Sequence, residues 1–134
     1  KDHEDLIISN ALSMKGVPYL WGGNSSKGND CSGFTQTVFK TAGIQLPRDA
    51  RQQAQIGEMI KIEDLEKGDL LFFGNGERVT HVGISMGGND FIHQGSKLEG
   101  KVDIHSLDPG SPIYNSYRKD TLLFAKRIIA LPTD

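Results

Sequence analysis

Gly68-Asp69-Leu70-Leu71-Phe72-Phe73 is the stretch at which this chain changes texture. Four apolar residues in a row behind a Gly-Asp pair read as a short buried strand. Downstream the pattern stays strand-like. Val79–Met86 alternates, Gly87-Gly88-Asn89 turns the chain into Phe91–Gln94, Val102–His105 reads as a brief edge strand, and Leu122–Ile129 closes the sheet. Upstream the pattern is helical. Asp2–Lys15 places Leu6, Ile7, Asn10, Ala11 and Met14 at near-helical spacing until Gly16 and Pro18 stop it. The stretch from Tyr19 to Asp30 is glycine-rich and irregular. A second helix is predicted from Cys31 to about Thr41, with Phe34, Val38 and Ala42 on one face, Asp30 or Asn29 as its cap and Gly43 as its stop. Pro47 and Asp49 lead into a short polar helix over Ala50–Ile56. Helices first and antiparallel strands second predict an α+β fold, with the helices packed on one face of a sheet of about five strands. Gly110–Tyr117 reads as an exposed loop, and the chain has no internal repeat or low-complexity tract.

Size and charge narrow the function classes. At 134 residues the chain suits one domain, 1–134, which buries roughly 68% of its unfolded surface. A formal net charge of −2 argues against nucleic acid or an anionic membrane as the main partner. No apolar run approaches the ~18 residues of a membrane span. The chain opens on Lys1-Asp2-His3-Glu4 with neither Met nor a signal peptide, which reads as a processed protein or a piece of a longer one. The single cysteine excludes an internal disulfide and a thiolate cluster for zinc or iron–sulfur.

That cysteine sits in Asn29-Asp30-Cys31-Ser32-Gly33-Phe34, at the predicted start of a helix. There its sulfur lies near unpaired N–H groups and the positive end of the helix dipole, which favour thiolate over thiol. Such positions lower a cysteine pKa from ~8.5 into the range of ~3.5–7.5, and the same N–H groups can bind an oxyanion. A structural cysteine would sit more naturally in mid-helix beside Phe34 and Val38.

A thiolate nucleophile needs a base, usually histidine. His3 lies in a polar N-terminal stretch, and His105 sits among Lys101, Asp103 and Asp108 and reads as a surface residue. His81 and His93 fall inside predicted strands, twelve residues apart, on either side of the glycine-rich turn. One hairpin register sets His81 directly opposite His93, with Val82 opposite Ile92; a two-residue Gly87-Gly88 turn would set His81 opposite Gln94 and turn His93 away. Pattern alone does not choose between them, and a purely structural histidine pair stays open.

These residues bring the chain close to a known family. Pro18-Tyr19-Leu20-Trp21-Gly22-Gly23, Asp30-Cys31-Ser32-Gly33-Phe34, Leu46-Pro47-Arg48, Gly68 to Phe73, His81-Val82-Gly83-Ile84 and Phe91-Ile92-His93 resemble, in order, the motifs of the NlpC/p60 family of papain-like peptidoglycan endopeptidases. The resemblance implies a papain-like fold and a Cys-His-His triad: Cys31 as nucleophile, His81 as general base and acid, and His93 to orient His81. It implies that Tyr19 helps line the oxyanion hole and that Asp30, Ser32, Arg48 and Trp21 belong to substrate binding. Asp30 reads equally as a helix cap, and Arg48 as a structural anchor. Relatives cleave the bond between γ-D-glutamate and the following diaminopimelate or lysine, so the implied partner is the L-Ala-γ-D-Glu-diamino acid stem peptide, with no metal or other cofactor. Many relatives have serine nineteen residues after the cysteine, where this chain has Ala50, which bears on fine specificity.

The same resemblance implies upstream bacterial SH3-type domains and a place in the cell envelope or outside the cell, a cytoplasmic recycling role being the alternative. Two other readings compete. A papain-like amidase or acyltransferase would share the scaffold, although lipid-modifying relatives tend to place histidine before cysteine. A catalytically silent wall-binding module would predict loss of a triad member, and Cys31, His81 and His93 are all present.

Overall fold

The computed structural model describes residues 2–20, 23–25, 28–96 and 99–128. The order is α1 (Asp2–Ser13), a small hairpin of β1 (Asn24–Ser25) and β2 (Gly28–Asn29), α2 (Cys31–Thr41), α3 (Ala50–Gln53), β3 (Glu58–Ile60), β4 (Leu70–Asn75), β5 (Arg78–Ser85), β6 (Asp90–Gln94), β7 (Val102–Ser106), α4 (Ser116–Thr121) and β8 (Leu122–Arg127). Six strands form one antiparallel sheet in the order β3-β8-β4-β5-β6-β7. The fold is α+β with the early helices on one sheet face, as the sequence predicts.

Side-chain alternation along the strands separates two apolar layers. Leu70, Phe72, Val82, Ile84 and Ile92 meet Ile7, Ala11, Phe34, Val38 and Phe39 from α1 and α2. Leu71, Phe73 and Phe91 face the other way and pack with Leu65, Leu107 and Ala125. Phe34 and Phe72 are fully buried, and burial of each such side chain is worth about 1.5–3 kcal/mol. The helix that begins at Cys31 is thereby fixed against the centre of the sheet.

α2 starts where the sequence places it because Asp30 caps it: Asp30 Oδ1 accepts from the Gly33 N–H at 2.7 Å. Buried Gln53 ties α3 to α2. Its Nε2 donates to Ser32 O at 3.2 Å and Pro47 O at 2.9 Å, and its Oε1 accepts from Thr35 Oγ1 at 2.7 Å.

Several details differ from the sequence reading, among them the β1–β2 hairpin inside the stretch read as irregular and the end of α3 at Gln53 rather than Ile56. The edge strand β3 was not anticipated, and β8 does not close the sheet but lies between β3 and β4. The expected Gly110–Tyr117 loop runs into the short helix α4. The β5–β6 hairpin adopts neither predicted register: Ile84 pairs with Ile92 and Ser85 with Phe91. The physical reason is a three-residue loop, with Met86 N–H bonded to Asp90 O at 2.9 Å and both Gly87 and Gly88 at positive φ.

Candidate active site

Cys31 is the first residue of α2 and is half-buried. The backbone N–H groups of Ser32 and of Val82, the residue after His81 on β5, face the Cys31 sulfur and favour the thiolate. An open groove of about 910 Å³ is lined by Cys31, Tyr19, Asp30 and Ser32 on one side and by Asn75, Arg78, Val79, Thr80 and His81 on the other, with Asp49, Ala50, Arg51, Gln52 and Ser96 completing it.

Four consecutive residues of one strand, 78–81, reach this groove, which regular alternation would not allow. The cause is a β-bulge. Phe73 pairs with His81 but Gly74 pairs with Val79, so Thr80 is the extra residue. Gly74 is needed at the bulge, because a Cβ there would lie 1.8 Å from Arg78 O. The bulge thus accompanies the run of four β5 residues that line the groove together with Cys31.

His81 and His93 meet although they are not directly paired. His81 Nε2 lies 2.7 Å from His93 Nδ1, with the rings edge-on at 86°. His93 Nε2 lies 2.8 Å from His105 Nδ1, so the chain of rings continues to a third histidine. His81 is 3% exposed and His93 is 0% exposed, between Phe73 and Phe91. Nearby, Arg118 Nη2 donates to Glu99 Oε1 at 2.7 Å, while Glu99 also accepts from Ser96 N–H at 2.8 Å and from Asn115 Nδ2 at 3.0 Å. Arg118 stacks over Phe73 with 5.7 Å to the ring centroid.

Donor atoms of His93, Glu99 and His105 lie within 4.8 Å of one another, the spacing of a metal site. The two histidine nitrogens are bonded to each other and the carboxylate is held by Arg118, so this cluster is occupied by its own hydrogen bonds.

The electrostatics correct one expectation. The Cys31 thiol is not pre-ionised. Burial, with the Asp30 carboxylate adding to it, raises its pKa, and the Val82 and Ser32 N–H groups and Arg118 only partly offset this. Burial pushes His81 well below the ordinary histidine value, assisted by His93 and Arg118. Burial likewise lowers His93 to about 3, with Arg118 and His105 adding and Glu99 opposing. The resting pair is therefore a thiol and a neutral imidazole. Tyr19, placed by its N–H bond of 2.8 Å to Gly100 O, has its pKa raised by burial, Asp30 and Cys31, and stays a hydroxyl donor.

Asp30 lines the groove and also serves the helix. Arg48 grips it with Nη1 donating to Oδ1 at 3.1 Å and Nη2 to Oδ2 at 3.0 Å, while Nη1 also donates to Ser32 Oγ at 3.0 Å. Arg48 thus braces the two residues flanking the nucleophile and is absent from the groove lining. Ala50 is on the groove wall. Trp21 and the side chain of His3 lie outside the described residues. Sequence reasoning missed His105, Glu99 and Arg118. The repeated interval of twelve from His81 to His93 to His105 was the available signal for the first.

Comparison with known proteins agrees with this geometry. The NlpC/P60 family matches residues 16–127. The chain is 45% identical over 93 residues to the gamma-D-glutamyl-L-lysine dipeptidyl-peptidase of Bacillus subtilis, covering 67% of this chain and 31% of that protein. It is 40% identical over 93 residues to the murein DD-endopeptidase MepS/murein LD-carboxypeptidase of Escherichia coli, covering 69% of this chain and 50% of that one. The chain thus spans 31% to 50% of the length of these relatives. A crystal structure from Staphylococcus aureus, described as similar to a lipoprotein of the NLP/P60 family, superposes with TM-score 0.82 at 36% identity, over 98% of this chain and 43% of its own. The chain belongs to the NlpC/P60 family.

Proposed function

We propose that this chain is a cysteine peptidase that hydrolyses the γ-D-glutamyl–diamino acid bond of peptidoglycan stem peptides, with Cys31 as nucleophile, His81 as general base and acid, and His93 orienting His81. One observation carries the reading. Cys31 and His81 line the same open groove, and His81 meets His93 through Nε2, so its Nδ1 is not engaged by that contact.

The chemistry follows from a resting thiol and neutral imidazole. His81 Nδ1 takes the S–H proton as Cys31 Sγ attacks the γ-carbonyl carbon, and the carbonyl electron pair moves onto oxygen. The Cys31 N–H, without a partner inside its helix, and the Tyr19 hydroxyl stabilise that oxyanion. The His81 imidazolium gives its proton to the departing amine, the C–N bond breaks, and a thioester remains. His81 then takes a proton from water, hydroxide adds to the thioester, and Cys31 leaves with the proton. Asp30 and Ser32 would border the peptide's amino-terminal side, and Arg51 and Arg78 on the groove wall suit its carboxylates.

The B. subtilis relative's name supports this bond, and the E. coli relative's name supports a second reading, a DD- or LD-bond cut by the same residues. A wall substrate and the lipoprotein likeness support an envelope or secreted location. Among the described residues no helix is long and apolar enough to cross a membrane.

Mass spectrometry of digests tests both readings. Defined tri- and tetrapeptides with free or blocked L-alanine, and cross-linked dimers, are incubated with the protein and with Cys31→Ala. Release of L-Ala-γ-D-Glu by the first and none by the second is expected. Wild-type turnover by Cys31→Ala would remove the nucleophile assignment, and cleavage confined to cross-links would move the bond.

A further inference from the structure

We infer that His105 is a positioning residue that fixes the polarity of the histidine chain, so that His81 presents a bare Nδ1 to the thiol. This rests on the reading of Cys31 and His81 given above and extends it by one residue.

The requirement is one of proton placement. To accept the thiol proton on Nδ1, neutral His81 must carry its hydrogen on Nε2. That N–H then donates to His93 Nδ1 across 2.7 Å. His93 must therefore be bare on Nδ1 and carry its hydrogen on Nε2, which donates to His105 Nδ1 across 2.8 Å. Each neutral ring has one donor and one acceptor nitrogen, so the direction is set for all three rings at once. Run in reverse, His105 Nδ1–H donates to His93 Nε2, His93 Nδ1–H donates to His81 Nε2, and His81 holds hydrogen on Nδ1. In that state His81 cannot act as the base.

The direction that the base needs puts a buried N–H on His93 Nε2, and without the His105 acceptor that donor would lose its 2.8 Å partner, whereas the reverse direction would leave only a bare ring nitrogen there. His93 is fully buried against Phe91, so without His105 its Nε2 would have no partner from β7. His105 is less buried, at the outer end of the chain, with Phe91 beside its ring and the Glu99–Arg118 pair against His93. His105 is bonded neither to Cys31 nor to the groove lining and acts only through His93.

The test replaces His105 by residues of different hydrogen-bonding character in the full chain. His105→Asn keeps an acceptor for His93 Nε2–H, whereas His105→Phe keeps a ring and removes it. The expected result is that His105→Phe lowers kcat by about tenfold or more with KM changed less than about twofold, and that His105→Asn stays within about threefold of wild type. Nitrogen-15 NMR of the histidine rings should show wild-type His81 as the Nε2–H tautomer and a mixture in His105→Phe. Equal kcat in all three proteins, or equal losses in both variants, would overturn the inference. So would a wild-type spectrum with His81 protonated on Nδ1, whichever variants fold. Hydrolysis surviving in Cys31→Ala would instead strike the parent reading, so the two failures are separable.

Discussion

Gly83 and His93 approach so closely that a Cβ added to Gly83 would lie 3.1 Å from His93 Cβ and 3.2 Å from Phe91 Cδ2. That contact is tighter than ordinary van der Waals packing, and His93 has nowhere to go. Its ring is fully buried and held by His81 at one nitrogen and His105 at the other.

Gly83→Ala is therefore expected to displace His93 and, through it, His81. Overpacking of this kind costs about 1–3 kcal/mol of stability. Catalysis should suffer more than binding, because misorientation by a fraction of an ångström acts on the transition state; kcat should fall by about tenfold or more with KM little changed. Steady-state kinetics on a variant shown by melting to be folded checks this. Wild-type kcat in Gly83→Ala would mean that His93 placement does not limit the reaction.

The free protein should alkylate slowly at neutral pH, because Cys31 is held mainly as the unreactive thiol. Burial and Asp30 raise the Cys31 pKa, so the thiolate share at neutral pH is small. The rate of iodoacetamide labelling should keep rising with pH beyond the ordinary thiol value of about 8.5–9. Asp30→Asn removes one of the raising charges and should move the curve to lower pH. A labelling midpoint near neutrality would show that the helix terminus outweighs burial.

Acid should destabilise the fold through the histidine pair. His81 and His93 have folded pKa values below their unfolded value of 6.5. The unfolded chain therefore binds more protons below that pH, and stability falls from about pH 6.5 downward until folded His93 protonates near 3. Glu99, lowered from 4.5 to about 2 against its own burial chiefly by the Arg118 hydrogen bond, loses its contribution in the same direction below about pH 4.5. The melting temperature should drop between pH 7 and pH 5, and less in His93→Gln. Parallel drops in the two proteins would contradict a buried neutral His93.

What the sequence could disclose depended on how local the cause was. Leu70 to Phe73 declares a buried strand by itself, and Asp30 before Cys31 declares a helix start, because apolar runs and caps act over a few residues. Glu58-Met59-Ile60 declares nothing: Glu58 and Met59 are exposed, and only pairing with β8 makes it a strand. The bulge at Thr80, which aims His81, exists only in the register between β4 and β5. His105 looked like surface because Lys101, Asp103 and Asp108 surround it in sequence, whereas in the sheet its neighbour is His93. The thiol pKa was misjudged for a similar reason, since the helix terminus is visible in sequence and the burial that opposes it is not.

Arg78 offers the sharpest division between binding and chemistry. It is exposed on the groove wall three residues before His81, at the start of the bulged strand that lines the groove with Cys31. The proposed stem peptide carries carboxylates beside the scissile bond, and a guanidinium can hold one with two parallel hydrogen bonds. Arg78→Ala should therefore raise KM, by about tenfold if the pair is partly desolvated, while kcat changes much less. The melting temperature should stay near wild type, because an exposed arginine contributes little to the fold. Amidating the substrate carboxylates supplies the matching control: the amidated peptide should bind wild type and Arg78→Ala alike. A variant penalty that persists with that peptide would mean that Arg78 shapes the groove without touching a carboxylate.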